Sequence, residues 1–264
     1  MRKLIALDLD GTLLQSDMTI STATKKLLKE LQAAGHLVTI ATGRPFVSAV
    51  GFVRELEITN PFLAINGALM VNSNGKIYKT HPVPKNLARE FLDFCLEKDI
   101  TCTLVTKDEM FISRNDIYAI QMHQLYDKTT PTLIENRETA TEAPILNIFL
   151  NSSDHARFEE IFKTIHDAFE PRLRVVRVGD LMMDVVQPGV SKGEGLKDLA
   201  AMLNIPMSDT IAIGDNHNDI QMLKMAGTGV AMAGADREVQ QAADMVTAGN
   251  DEDGVIRALE KLIQ

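Results

Sequence analysis

Short apolar runs alternate along the chain with stretches whose apolar positions recur every three or four residues. The runs at 3–10, 37–41, 61–65, 210–213, 228–231 and 245–247 are β-branched and leucine-rich, the pattern of strands covered on both faces. Between them, 21–34, 45–55, 192–203, 220–226, 237–243 and a segment from about 253 carry helical spacing. Ser21 is a good helix cap and Gly35 a good stop, and Pro45 suits a first helical turn. Strand–helix alternation of this kind predicts an α/β fold with a doubly wound, Rossmann-like parallel sheet. Asn66-Gly67 reads first as a simple turn, with a ligand loop as the alternative, and is followed by a hairpin over 68–78 around Asn74-Gly75.

The rhythm breaks at His81-Pro82-Val83-Pro84, where two prolines resist both helix and central strand. A helix over 85–98 then precedes short strands at 101–106 and 110–113 and a helical piece at 116–126. A strand at 145–150, a helix at 154–169 and a strand pair at 172–178 and 181–186 around Gly179-Asp180 complete this stretch. Pro188-Gly189 breaks the chain again and the α/β rhythm returns. The expectation is a core domain split between 1–82 and 188–264, with an α+β domain bearing an antiparallel sheet inserted at 83–187.

Composition narrows the function classes. Hydrophobic residues make up 45% of the 264, enough for a sizeable core. A net charge of −9, with no run of five or more basic residues, argues against nucleic acid or an anionic membrane as partner. Any anionic ligand therefore needs a local cation. Cys95 and Cys102 form neither a disulfide framework nor a zinc motif. No apolar stretch approaches the ~18 residues of a membrane span, and no secretory signal pattern is present, so a cytoplasmic monomer or small homo-oligomer is expected.

The chemistry gathers at strand ends. Asp8 and Asp10 close the first strand, where ionised carboxylates are tolerable only if the strand opens there onto water or a metal. Strand alternation sends both to one face. In an open parallel sheet the ligand edge is at the C-terminal ends of the strands. The other strands bring Thr42-Gly43-Arg44 and Gly214-Asp215-Asn216-His217-Asn218-Asp219 to that edge, and Lys192 opens the helix after the second break. Two charges ~4 Å apart repel by about 4 kcal/mol at an effective dielectric near 20. A cluster of Asp8, Asp10, Asp215 and Asp219 must therefore keep protons or hold a hard cation, and an all-oxygen set favours Mg²⁺. Thr42 and the Gly43 amide at a helix start make an anion site. Lys192 and Asn218 add a point charge and an amide donor, which completes a phosphoryl-transfer pocket.

Asp8-Leu9-Asp10-Gly11-Thr12-Leu13-Leu14 resembles the first motif of the haloacid dehalogenase-like hydrolases. Ala41-Thr42-Gly43-Arg44 is similar to their second motif, Ser191-Lys192-Gly193 to their third, and Gly214 to Asp219 to their fourth, in matching order. The insert resembles the α/β cap of the Cof-type branch, which includes sugar phosphatases. The resemblance implies that Asp8 is a nucleophile forming an aspartyl-phosphate and Asp10 the general acid/base. It also implies that Mg²⁺ is held by Asp8, the Asp10 carbonyl and Asp215, with Asp219 ordering that shell. Thr42, Gly43, Lys192 and Asn218 would bind the transferring oxygens of a small phosphorylated metabolite, and linkers near 81–84 and 187–190 would act as hinges for the cap. A phosphotransferase or mutase on the same scaffold is the alternative, and a phospho-accepting signalling module a third.

Other residues carry plainer readings. Arg44 follows the anion loop but is read first as a surface or hinge ion pair. His217, flanked by two asparagines and without a second histidine at ligand spacing, is read as a solvated loop residue. Arg114, Asn115, His123 and Asn147 are polar candidates for the cap's substrate surface, His123 with solvent exposure as its plain alternative. Met222, Met225 and Met232 are read as core gap-fillers.

Overall fold

A computed structural model describes residues 2–263 of the chain. It separates into two compact units, one made of Met1–Gly43, Ala49–Tyr78 and Ser191–Gln264, the other of Arg44–Ser48 and Lys79–Val190.

The first unit is built on a five-stranded parallel sheet. The strand Leu4–Leu7 is fully buried and lies between Leu37–Ile40 and the central strand Thr210–Gly214. Thr228–Ala231 and Met245–Val246 extend the sheet beyond Thr210–Gly214. Every residue of the first two strands is buried, which is why the sequence shows unbroken apolar runs rather than alternation. Phe62–Ala64 begins a separate three-stranded sheet with Leu69–Val71 and Ile77–Thr80, joined to the main sheet by one parallel bridge from Ala41 to Leu63. The helix Thr22–Ala33 starts on the Ser21 side chain, which accepts from the Thr24 amide, and buries Leu28 and Leu31. The helix Lys192–Met202 starts the same way on Ser191, whose hydroxyl accepts from the Glu194 amide.

The second unit carries a six-stranded sheet in which Met182–Val186, Asn147–Asn151 and Thr103–Val105 are central and antiparallel. One sheet face (Leu104, Ile148, Leu150, Met183, Val185) packs into an apolar core with Phe91, Leu92, Phe158 and Ile165 from two helices, Lys85–Glu97 and His155–Phe169. Asp154 caps the second of these by accepting from the Arg157 amide. The sheet is not wholly antiparallel: Thr132–Leu133 adds at the edge parallel to Met110–Ile112. That two-residue strand and the single turn Arg137–Ala140 are exposed on most positions and have no periodicity to read in sequence. The unit also takes in Arg44–Ser48.

Candidate active site

The first strand ends earlier than its apolar run suggests. Leu4–Leu7 is the strand, and Asp8 makes one further ladder bond, its N–H donating to the Ile213 carbonyl at 3.0 Å. The chain then enters a wide turn over Leu9–Leu13, closed by the Leu14 N–H on the Leu9 carbonyl at 2.8 Å. Asp10 lies in that turn, with φ −77° and ψ 123°, so the turn and not strand alternation sets its direction. Gly11 takes φ +75°, and a Cβ there would stand 2.3 Å from an Asp215 oxygen. Glycine thus meets two demands at once, a left-handed backbone and close approach to a carboxylate.

Around Asp8 the structure gathers side chains from distant parts of the chain. Lys192 is buried, and its Nζ donates to Asp8 Oδ1 at 2.6 Å and to Asp219 Oδ1 at 2.7 Å. The other Asp219 oxygen accepts from the amides of Asp215 and Asn216, each at 3.0 Å. Asp215 accepts from the Thr12 hydroxyl at 2.8 Å. Carboxylate oxygens of Asp8, Asp215 and Asp219 all lie within 4.8 Å of one another.

Thr42 and Gly43 leave the neighbouring strand at the same edge, where the Ala41 N–H donates to the Leu7 carbonyl at 2.9 Å. Asn218 joins them, because a Cβ on Gly43 would lie 3.6 Å from its Nδ2. Of the residues singled out in sequence, Asp8, Asp215, Asp219 and Lys192 are thus in direct contact or close approach, Asp10 follows in the adjoining turn, and Thr42, Gly43 and Asn218 flank them.

Arg44, directly after Gly43, is buried, and its Nη1 donates to the Tyr126 carbonyl at 2.7 Å. His217 is exposed, with Nε2 3.2 Å from Asp236, as the plain reading expected. His123 is not the solvent-facing residue allowed for above. It is buried between Asp127 (2.8 Å from Nδ1) and Thr103 (3.0 Å from Nε2), and its ring meets Phe149 edge-on. Asn147 is also buried and donates to Asp184 at 2.6 Å. Arg114 is tied to Asp99 and the Leu96 carbonyl. Two further residues belong to the first unit's site: Thr12, which holds Asp215 and was not singled out, and Asn66, read first as a simple turn rather than a ligand loop, whose Oδ1 accepts from Asn218 Nδ2 at 2.9 Å. Thr12 had a visible signal, a hydroxyl two residues beyond the second aspartate.

The electrostatics follow from burial. Desolvation, then the charge of Asp219, raises the Asp8 carboxyl well above its usual range. The same two causes lift Asp215 to about 6, although the Thr12 hydroxyl opposes them. Burial alone would discourage the Lys192 charge, but Asp219 and Asp8 outweigh it and hold the ammonium above its ordinary value. One cation among three acids leaves the cluster under-neutralised. Asp8, Asp215 and Asp219 lie close enough together that their carboxylates could hold one cation. The all-oxygen set fits a hard divalent ion.

Protons and cation compete for these carboxylates, which fixes a sign. Protonation of Asp215, favoured below about 6, and of the raised Asp8 carboxyl both oppose a cation, so its binding should strengthen as pH rises. Thermal stabilisation by millimolar Mg²⁺ is therefore expected to be large near pH ~7.5 and to fall away by about pH 5. Melting curves with and without the ion at both pH values check this, and an equal shift at both would contradict it.

Residues 5–259 match the family model of the haloacid dehalogenase-like hydrolases. The chain is 35% identical to YkrA of Bacillus subtilis over 265 residues, covering 98% of this chain and 97% of YkrA. It is 30% identical over 262 residues to YitU of the same organism, a 5-amino-6-(5-phospho-D-ribitylamino)uracil phosphatase, covering 98% and 96%. The solved structure of BT4131, a sugar phosphatase of haloacid dehalogenase subclass IIB, superposes with a TM-score of 0.87 at 25% identity, covering 98% of each chain.

Proposed function

The chain belongs to the haloacid dehalogenase-like hydrolases and is a phosphatase of their Cof-type branch; from that premise we propose that it hydrolyses small phosphorylated metabolites, most of all sugar phosphates, through an aspartyl-phosphate on Asp8. The single observation that carries the reading is the Asp8–Lys192–Asp219 arrangement, in which a buried ammonium holds one oxygen of an otherwise under-neutralised carboxylate at 2.6 Å.

A fixed carboxylate has one task that a merely structural one lacks. Held by Lys192, Asp8 is oriented to attack phosphorus, forming the Asp8–phosphorus bond as the bond to the leaving alcohol breaks. Asp10, two residues on in the turn, gives its proton to the departing oxygen, then takes one from the water that hydrolyses the aspartyl-phosphate. Thr42, the Gly43 amide, Lys192 and Asn218 bind the transferring oxygens. Mg²⁺ bound by Asp8, Asp215 and the Asp10 carbonyl would supply charge neutralisation on those oxygens. Asp219 orders the cluster by fixing Lys192 and the Asp215 and Asn216 amides. In this reading 1–82 and 188–264 form the catalytic core, and the intervening unit selects the leaving group.

The relatives favour water as acceptor. YitU is a phosphatase of a phosphorylated ribityl compound and BT4131 a sugar phosphatase. A panel of phosphorylated sugars, polyols and nucleotides, assayed for released phosphate, is expected to show turnover with Mg²⁺ and none in EDTA, with restoration on re-adding the ion. Turnover that persists in EDTA would remove the cation from the scheme. An isomeric sugar phosphate in place of free phosphate would favour the mutase alternative.

A further inference from the structure

The turn Ile65-Asn66-Gly67 has more built into it than a change of direction requires. All three residues are buried and all three adopt left-handed backbone, with φ of +52°, +52° and +90°. For a β-branched residue such as Ile65 that is an outlier, and strain of about 1–3 kcal/mol persists only where the surroundings over-determine it. They do so here. The Asn66 N–H donates to the Thr42 carbonyl at 2.9 Å, and the Ala68 N–H closes the turn on Ile65. A Cβ on Gly67 would stand 2.4 Å from the Ser191 carbonyl, so the turn rests directly on the residue that caps the Lys192 helix.

The Asn66 side chain points the same way. It is 7% exposed, and its Oδ1 accepts from Asn218 Nδ2 at 2.9 Å. Both amides line Gly43: a Cβ there would meet Asn66 Oδ1 at 3.2 Å and Asn218 Nδ2 at 3.6 Å. The buried Oδ1 of Asn218 has no hydrogen-bond partner, so its amide is fixed from the nitrogen end. An Nδ2 carries two N–H groups. Asn66 takes one, and the other is left beside the Gly43 loop.

We propose that Asn66 is a positioning residue of the phosphate site: it fixes the Asn218 amide so that the remaining N–H faces an anion held at Thr42-Gly43. The proposal rests on the phosphatase reading and deepens it. Asn66 touches no reacting atom in this scheme; it acts through Asn218.

Asn66→Gly is the discriminating substitution, because glycine accepts the positive φ and the turn keeps its shape. Binding of inorganic phosphate in the presence of Mg²⁺ is measured by calorimetry, which needs no turnover, alongside kcat and KM for p-nitrophenyl phosphate. Asn66→Gly is expected to weaken phosphate binding about tenfold, the scale of one oriented hydrogen bond to a charged group. Asn218→Ala is expected to do the same, and the double variant to bind no worse than Asn218→Ala alone. A purely structural role would make the two losses multiply. Unchanged phosphate affinity in Asn66→Gly, or multiplying losses, overturns the proposal while leaving the phosphatase reading intact. A wild-type protein that neither binds phosphate nor turns over the ester sinks both.

Discussion

Asp8→Asn is expected to leave a folded protein that releases essentially no phosphate. The carboxamide is nearly isosteric, and it removes one of three acids crowded within 4.8 Å around a single ammonium. Burial and Asp219 already raise the Asp8 carboxyl, so its charge is held against a cost. Without that charge, Lys192 keeps its bond to Asp219, and the metal-free variant should melt no lower than the parent. Turnover behaves oppositely. An amide nitrogen cannot serve as the nucleophile and no neighbour can substitute, so the loss should be at least about 10⁴-fold. Circular dichroism melts and a phosphate-release assay on the same preparation separate the two effects. Near-native turnover would refute the covalent scheme, and a collapsed fold would show that Asp8 is needed for structure instead.

Lys192→Met makes the complementary case, with stability and activity lost together. Methionine fills much of the volume but leaves Asp8 and Asp219 buried without their shared ammonium. Removing one partner of a buried ion pair typically costs about 3–5 kcal/mol. The sign with pH follows from the carboxyls. Asp8 is already raised in the parent, and deleting the cation raises it further. A raised carboxyl costs stability once its unfolded counterpart ionises, so the deficit should be small in acid, grow as pH rises from the ordinary carboxylate range toward the folded value, and level off above it. Loss of the charge that steadies Asp8 should also lower kcat by about 10²–10³. Denaturant midpoints at acid and neutral pH test the first part. A deficit independent of pH would mean that packing, not charge, holds Lys192 in place.

How much of this was legible in the chain depends on whether a feature is local. The parallel core was readable because its strands are buried on both faces and therefore uninterrupted, and its helices carry their caps beside them, as Ser21 and Ser191 show. The four motif segments converge because parallel strands end on one edge, so Asp8, Thr42, Lys192 and Asp215 could be grouped without coordinates. Other features escaped the pattern. Asp10 belongs to a five-residue turn, which hydrophobic patterning does not register. His123 is buried because Thr103 and Asp127 satisfy both its nitrogens, and Thr103 lies twenty residues away. Asn66 looks like any Asn-Gly turn until Asn218, 152 residues distant, is seen against it. Arg44 belongs to the same lesson: its guanidinium answers a carbonyl at Tyr126, 82 positions on.

The first strand has a consequence for biosynthesis. Leu4 pairs with Leu37 on one side but with Thr210 on the other. During translation one margin of that greasy ribbon stays open until some two hundred further residues have left the ribosome, an interval of about 10–40 s at ordinary elongation rates. The intervening unit can mature meanwhile on its own apolar interior. The nascent N-terminal portion is thus the natural client for a holding chaperone, and polypeptides ending before Thr210 should be the aggregation-prone ones.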